Sequence, residues 1–197
     1  MITTHAGKRP TIDASAYVAP DATVCGDVVI GPGVRVMSGA RLVAASRLEI
    51  GAETIVMENA VVRATARHAC AIGANSLIGP TAHVAGATLA GENFVATGAA
   101  VFHGAIIGRG AEIRINAVVH IRTRLEAGAT VPIGWIAVGD PAQILPPYRH
   151  DEIWALQGPL DFPGWVYGVD RTRPDAMIEI TRGLSAALAA HADDGAL

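Results

Sequence analysis

The stretch IGANSLIGPTAHVAGATLAGENFVATGAAVFHGAIIG, Ile72–Gly108, decides the fold. An aliphatic residue opens each unit of six in this stretch, and one unit, Val84–Thr88, has five residues instead. Outside the stretch the period continues through Ile12, Val18, Val24, Ile30, Val36, Leu42, Ile50, Val56, Val62, Ile113, Val119, Leu125 and Val131. A six-residue period fits neither an amphipathic helix, which repeats every ~3.6 residues, nor a simple alternating strand.

The period predicts an all-β solenoid in which each unit makes one short parallel strand and one corner. Three units make a coil of about 18 residues, and the coils stack at the strand spacing of ~4.8 Å. The aliphatic residue points inward, and small residues relieve the corners. A β-sandwich would show turns every ~8–12 residues instead. The phase breaks three times, with two extra residues near Ala45, four near His68 and one missing before Leu89.

Composition excludes several classes of partner. The chain of 197 residues has a net charge of −3, and its 15 basic residues are scattered, whereas nucleic acid or an anionic membrane would require a basic stripe. Cys25 and Cys70 are the two cysteines, and we find neither a leader pattern nor an apolar run near the ~20 residues that span a bilayer. We expect a cytoplasmic protein, and 14 Arg against one Lys is typical of a GC-rich bacterial genome.

The repeats carry a resemblance to a known family. The quoted stretch, together with IGAETIVMENAVVR (Ile50–Arg63) and the closing VGDPA (Val138–Ala142), resembles the γ-class carbonic anhydrases of the left-handed β-helix, or hexapeptide-repeat, superfamily. The resemblance covers about residues 10–145 and includes the five-residue unit. It implies a left-handed parallel β-helix, a homotrimer, and a zinc site between subunits that takes two histidines from one chain and one from its neighbour.

The same resemblance implies that the usual zinc ligands are missing. The family's three histidines fall on Arg63, Pro80 and Ala85, and its Gln-Asp pair falls on Met57 and Glu58. Zinc in a catalytic site takes three protein ligands and an open position for water. An arginine does not ligate, and neither proline nor alanine offers a donor atom. We therefore do not expect an ordinary carbonic anhydrase.

Other histidines offer a replacement site. Units three apart stack on one face, so His83 should lie diagonally next to Arg63, and the insertion that holds His68 should reach over that face. We predict a polar cleft with Arg63, Glu58 and His83 as catalytic residues. The candidate ligands of zinc or another divalent metal are His68, His83 and His120, and His103 or His120 completes the cleft from the same chain or the adjacent subunit.

The predicted chemistry is a hydration, hydrolysis or lyase step on a small carboxylate, which Arg63 would orient, rather than hydration of carbon dioxide. Two alternatives stay open. Many hexapeptide-repeat proteins are coenzyme A-dependent acyltransferases, although the insertions here are shorter than a typical excursion loop. A non-catalytic trimeric scaffold would use the histidines and Arg63 only as polar contacts between subunits.

The chain changes character after residue 145, so we divide it into a β-helix domain, 1–145, and a helical extension, 146–197. RHDEIWALQ, 149–157, carries acidic residues in its first turn and predicts a short helix. PDAMIEITRGLSAALAAH, 174–191, predicts a second, amphipathic helix. Both should pack alongside the solenoid, with the aromatic segment 162–167 as ordinary packing or as a lid. We expect residues 192–197 to fray.

Overall fold

The computed structural model describes residues 1–196 and confirms the predicted β-solenoid, which has about eight turns and two short C-terminal helices. The strands of the first half are β1 (Ile2–Thr3), β2 (Thr11–Ile12), β3 (Tyr17–Val18), β4 (Thr23–Ile30), β5 (Arg35–Val36), β6 (Arg41–Ile50), β7 (Ile55–Val56), β8 (Val61–Ala64), β9 (Cys70–Ile72) and β10 (Leu77–Ile78). Those of the second half are β11 (His83–Ala85), β12 (Thr88–Leu89), β13 (Phe94–Val95), β14 (Ala100–Val101), β15 (Ile106–Ile107), β16 (Glu112–Ile113), β17 (Val118–Val119), β18 (Arg124–Leu125), β19 (Thr130–Val131), β20 (Ile136–Val138) and β21 (Gln143–Leu145).

The strands form two sheets of stacked parallel neighbours, except that the last pair, β20 and β21, is antiparallel. One sheet of seven strands runs from β3 to β19 through β5, β7, β10, β13 and β16. The other has 14 strands and covers two faces, because the long strand β6 pairs with β8 along its first half and with β9 along its second. The two extra residues near Ala45 lie inside β6, so they let one strand pass the corner without a break.

The core is the column of inward aliphatic residues that the period predicts. From Val24 onward every one of these residues is at most 2% exposed, whereas Ile12 and Val18 in the first coil are partly buried. Full burial of one such side chain contributes about 1.5–3 kcal/mol, so the stacked coils are held chiefly by apolar burial. The remaining phase breaks are local: residues 65–68 form a hairpin with a Thr65–His68 bridge, and the five-residue unit turns at Gly86, whose φ is +56°.

The extension after β21 begins with the first predicted helix. Helix α1 spans His150–Gln157, buries Ile153 and contacts β20 of the last coil. A 3-10 turn, Gly158–Leu160, and a π-helical turn, Pro163–Tyr167, follow. Helix α2 then spans Ala176–Leu188, as predicted, and runs into a 3-10 turn that ends at Asp193. No helix in residues 1–196 has the length and hydropathy of a bilayer span.

The expectation that the chain end frays is wrong as far as Ala196. The backbone N–H of Thr4 donates to the Gly195 carbonyl at 2.8 Å, and Ala196 forms an antiparallel bridge with Thr3. Extended backbone beside β1 finds hydrogen-bond partners there, which the composition of the last residues does not reveal. Leu197, the last residue of the predicted frayed segment, lies outside the described residues.

Candidate functional site

Strands β8, β11, β14 and β17 stack on the face where the sequence places the cleft. His83 lies in register with Val61 on one side and Ala100 on the other, and Ala85 lies beside Arg63. Because side chains alternate along a strand, residues on either side of the inward Val84 point outward. His83 is therefore diagonal to Arg63, in the register that the hexad count predicts.

The hairpin 65–68 brings a second histidine to this face. The rings of His68 and His103 lie 5.2 Å apart, between centroids, with Gly86 beneath them. A Cβ on Gly86 would lie 2.6 Å from the His68 Cβ and 2.9 Å from the His103 Cδ2. A side chain at position 86 would therefore push the two histidines apart, and the irregular five-residue unit is what places them together.

The C-terminal extension covers these rings. Trp165 lies 5.2 Å from His68, centroid to centroid, and the Arg122 guanidinium stacks 4.9 Å from the centre of the Trp165 ring. Phe162 meets Phe102 edge-on at 6.5 Å. The aromatic segment 162–167 thus packs on the histidine face, and its opening and closing as a lid stays a prediction.

Burial keeps the imidazoles of this face uncharged. Burial first, and then the nearby His68, His83 and Arg63, lower the pKa of His103 to about 4. Burial followed by the charge of Arg63 lowers the pKa of His83, and burial is the main cause of the lowered pKa of His68. His120, one strand beyond, also has its pKa lowered by burial. These histidines are neutral at pH 7, so each has a nitrogen that accepts a proton or a hydrogen bond.

Four buried ring nitrogens on this face have no hydrogen-bond partner within residues 1–196. They are His68 Nε2, His103 Nδ1, His120 Nδ1 and Trp165 Nε1. A buried polar atom without a partner costs about 1–3 kcal/mol, so such atoms are rare unless a ligand or water binds there. Their grouping on one face marks a polar site rather than ordinary solenoid surface.

The two charged residues predicted for the cleft, Arg63 and Glu58, differ in exposure and in their contacts. Arg63 is exposed, and its guanidinium makes no hydrogen bond or ion pair within the described chain, although its charge acts on His83 and His103. Glu58 is half-buried just before β8, where its backbone carbonyl accepts the Thr81 N–H at 3.0 Å. No hydrogen bond or ion pair joins its carboxylate to Arg63 among residues 1–196, so a direct Glu58–Arg63 partnership finds no support within one chain.

The metal chemistry of the family does not fit this face. Arg63, Pro80 and Ala85, on which the resemblance places the family's ligands, supply no ligand atom, so no step is routed through zinc there. The proposed substitutes His68, His83 and His120 do not bring three ligand atoms within 4.8 Å of one another in the described chain. Completion of such a site by an adjacent subunit stays a prediction. One group that meets that distance, His5, Cys25, His191 and Asp194, lies elsewhere and escapes the sequence reasoning, because its members are scattered over both ends of the chain.

Comparison with known proteins finds relatives that are named as gamma carbonic anhydrases. No protein-family model matches it. It is 31% identical to the mitochondrial gamma carbonic anhydrase 1 of Arabidopsis thaliana over 153 residues, which cover 74% of this chain and 54% of that relative. Gamma carbonic anhydrase 2 of the same plant is 28% identical over 153 residues, covering 74% and 53%. The chain thus spans about half the length of these curated relatives.

A solved structure agrees with the fold. The UDP-N-acetylglucosamine acyltransferase of Francisella novicida superposes with a TM-score of 0.55 over 95% of this chain and 87% of that one, at 15% sequence identity. An identity this low supports a common solenoid and carries no information about the reaction.

Proposed function

Because the chain is a γ-carbonic-anhydrase-like protein of the left-handed β-helix superfamily, we propose that it uses the cleft of that family for chemistry on a small carboxylate. The observation that carries the proposal is the unpartnered Arg63 near the half-buried His83 and the buried His103, both neutral. An arginine next to neutral histidines suits an anionic substrate that must gain or lose a proton.

Arg63 is the proposed anchor for the substrate. Its planar guanidinium binds a carboxylate through two parallel hydrogen bonds, and such charge-assisted pairs fix orientation as well as position. Since its guanidinium is free of ion pairs in the described chain, substrate binding breaks no internal bridge.

His83 is the proposed general base. It is neutral before binding, because burial and the charge of Arg63 both disfavour the imidazolium. A bound carboxylate would offset the charge of Arg63, so the pKa of His83 should rise in the complex and make the ring a better base. The reaction class is a hydration, hydrolysis or lyase step in which His83 takes a proton from water or from the substrate. Glu58 is proposed to assist from the edge of the cleft.

The test is ligand binding by calorimetry and thermal shift with a panel of small mono- and dicarboxylates. We expect Arg63→Ala to weaken carboxylate binding by about 10–100-fold, the equivalent of losing hydrogen bonds to a charged group. The carboxylate affinity of Arg63→Lys should lie between those of the unmodified protein and Arg63→Ala, because lysine keeps the charge and lacks the planar pair of N–H donors. The matched control is Arg109→Ala, which removes an exposed arginine paired with Glu92 at 2.6 Å, and should not change binding.

The alternatives give different results in the same assays. We expect carbon dioxide hydration to be very weak or absent in the unmodified protein, and hydration at ordinary enzymatic rates would overturn the residue mapping. Stabilisation by acetyl-coenzyme A but by no carboxylate would favour the acyltransferase. If no ligand stabilises the protein, and His83→Ala and Arg63→Ala only weaken subunit association, the cleft is a scaffold contact and the proposal is wrong.

A further inference from the structure

A second group of side chains lies at the other end of the solenoid, where the two chain ends meet. His5 lies just after β1, Cys25 lies in β4, and His191 and Asp194 lie near the end of the C-terminal extension. His5 Nδ1 lies 2.8 Å from Asp194 Oδ1, and His191 Nδ1 lies 2.7 Å from Asp194 Oδ2. The Cys25 thiol donates to Asp194 Oδ2 at 3.4 Å. One carboxylate therefore gathers two imidazoles and a thiol.

The fold builds this group from several directions. The rings of His5 and His191 stack with centroids 4.1 Å apart and an interplanar angle of 21°. The Thr4 N–H donates to the Gly195 carbonyl at 2.8 Å, and the Gly195 N–H donates to the Thr4 side-chain hydroxyl at 3.1 Å, so the two chain segments are held together beside the rings. Gly26, with φ +86°, follows Cys25, and a Cβ there would lie 3.3 Å from the His5 Cβ and only 2.1 Å from the Ala44 carbonyl oxygen. A side chain at position 26 would therefore clash with the Ala44 backbone and crowd His5.

The donor set matches one class of ligand. The four ligand atoms all lie within 4.8 Å of one another, and His5 and Cys25 are buried. With zinc bonds of about 2.0–2.3 Å, tetrahedral ligand atoms lie roughly 3.2–3.8 Å apart, which small side-chain rotations would reach from the present geometry. Sulfur and imidazole nitrogen favour zinc and similar transition metals, whereas magnesium and calcium prefer oxygen alone.

We propose that His5, Cys25, His191 and Asp194 form a structural zinc site that joins the N-terminal coil to the end of the C-terminal extension. On binding, the Cys25 thiol loses its proton to solvent and the thiolate bonds to the metal. Each imidazole carries its proton on Nε2 by exchange with solvent, so that Nδ1 and the Asp194 carboxylate bond to the metal in place of their mutual hydrogen bonds. Four protein ligands leave no open position, so the site is structural rather than catalytic. It is separate from the Arg63–His83 cleft and stands independently of the function proposed there.

The test uses the full chain, without a histidine tag, stripped of metal and kept in a non-thiol reductant. Titration with zinc should give about one equivalent per chain and raise the thermal midpoint, because a ligand that binds only the folded state stabilises it. Titration with cobalt should give the thiolate-to-metal charge-transfer absorption of a sulfur ligand. Magnesium and calcium should do neither.

Variants assign the ligands. Cys25→Ser should abolish the charge-transfer band, and His191→Ala should weaken zinc binding by at least about tenfold, the lower end of what losing even an outer-shell partner costs. Cys70→Ala is the matched control, since Cys70 is the other buried cysteine and lies in the core away from the group. A wild-type chain that binds zinc no more tightly than Cys25→Ser overturns the proposal. So does a band lost with Cys70→Ala, or zinc binding lost with His83→Ala and retained with His191→Ala.

Discussion

At the scale of single residues, His103 shows how its surroundings keep a histidine of the cleft uncharged. Its side chain is 8% exposed, its Nδ1 lacks a partner in the described chain, and His68 and His83 lie close enough to disfavour its charge. Protonation of His103 would place a cation among other imidazoles and Arg63, with little water to screen it. The folded state therefore holds this ring neutral at a pH where the unfolded chain does not.

This shift predicts a pH dependence of stability. The pKa of His103 is about 4 in the folded state, against an ordinary value of about 6.5, so between these values the unfolded state binds more protons. Stability from this group is complete above about pH 6.5 and falls as the pH drops toward 4, by on the order of 2–3 kcal/mol. Urea unfolding between pH 7 and 5 should show a shallower loss for His103→Gln than for the unmodified protein.

The control is His150→Gln, at an exposed position on α1, which should follow the unmodified protein. Parallel curves for His103→Gln and the unmodified chain would mean that His103 is charged or solvated in the folded state. The proposed base His83 lies in the same electrostatic surroundings, so that result would also remove the argument for its neutrality.

Counting units was enough to place the outward residues of the cleft. The register of His83 beside Arg63 follows from the six-residue period, because stacking requires only that neighbouring coils align. Burial of His103 was not predictable in this way. Trp165 and Phe162, which cover the neighbouring His68 and Phe102, belong to a non-periodic segment with nothing in its sequence to say which face it covers.

At the scale of elements, the five-residue unit and the hairpin 65–68 act together. The hairpin returns His68 over β8 and β11, and the shortened turn at Gly86 makes room for it. A regular six-residue unit would keep the corner in line with its neighbours. The irregularity is thus part of how the cleft is built.

Alanine at position 86 should be costly for this reason. The left-handed backbone costs a non-glycine residue roughly 1–2 kcal/mol. Crowding of the new methyl against His68 and His103 adds about 1–3 kcal/mol for Gly86→Ala. Gly110→Ala is the matched control, because Gly110 has φ +69° and nothing within 4 Å of its Cβ position. Chemical denaturation of both variants measures the difference, and equal losses would show that the two histidines do not depend on the glycine.

In the C-terminal extension, the helices could be predicted from the sequence, and the long-range contacts could not. Helical spacing and an acidic first turn suffice to predict α1 and α2. The pairing of Ala196 with Thr3 joins residues nearly the whole chain apart, and no local pattern records such a contact. The group around Asp194 also joins distant parts of the chain, so it is hidden from the sequence for the same reason.

At the scale of the whole molecule, the face that carries the cleft is open to another chain. Val61, His83, Ala100 and Val118 form an outward column that is only half-buried, and the unpartnered Arg63 lies beside it. The extension covers the part of this face near Phe102 and leaves the column accessible. A mostly apolar outward column next to unsatisfied polar groups is typical of a subunit interface.

We therefore predict a homotrimer with this column in its interface. Light scattering coupled to size exclusion should give three times the chain mass of 20.3 kDa, about 61 kDa. Val118→Glu should shift the protein toward the monomer, because it places a charge in the apolar interface.

Ile106→Glu is the matched control, since Ile106 is 41% exposed on another face, and it should leave the trimer intact. Circular dichroism would verify that both variants keep the solenoid. A stable monomer at micromolar concentration contradicts the prediction, and so does a trimer that dissociates with Leu184→Glu on the exposed side of α2 while resisting Val118→Glu. In either case a cleft completed by a neighbouring subunit would no longer be tenable, and the chemistry proposed for Arg63 and His83 would have to proceed within a single chain.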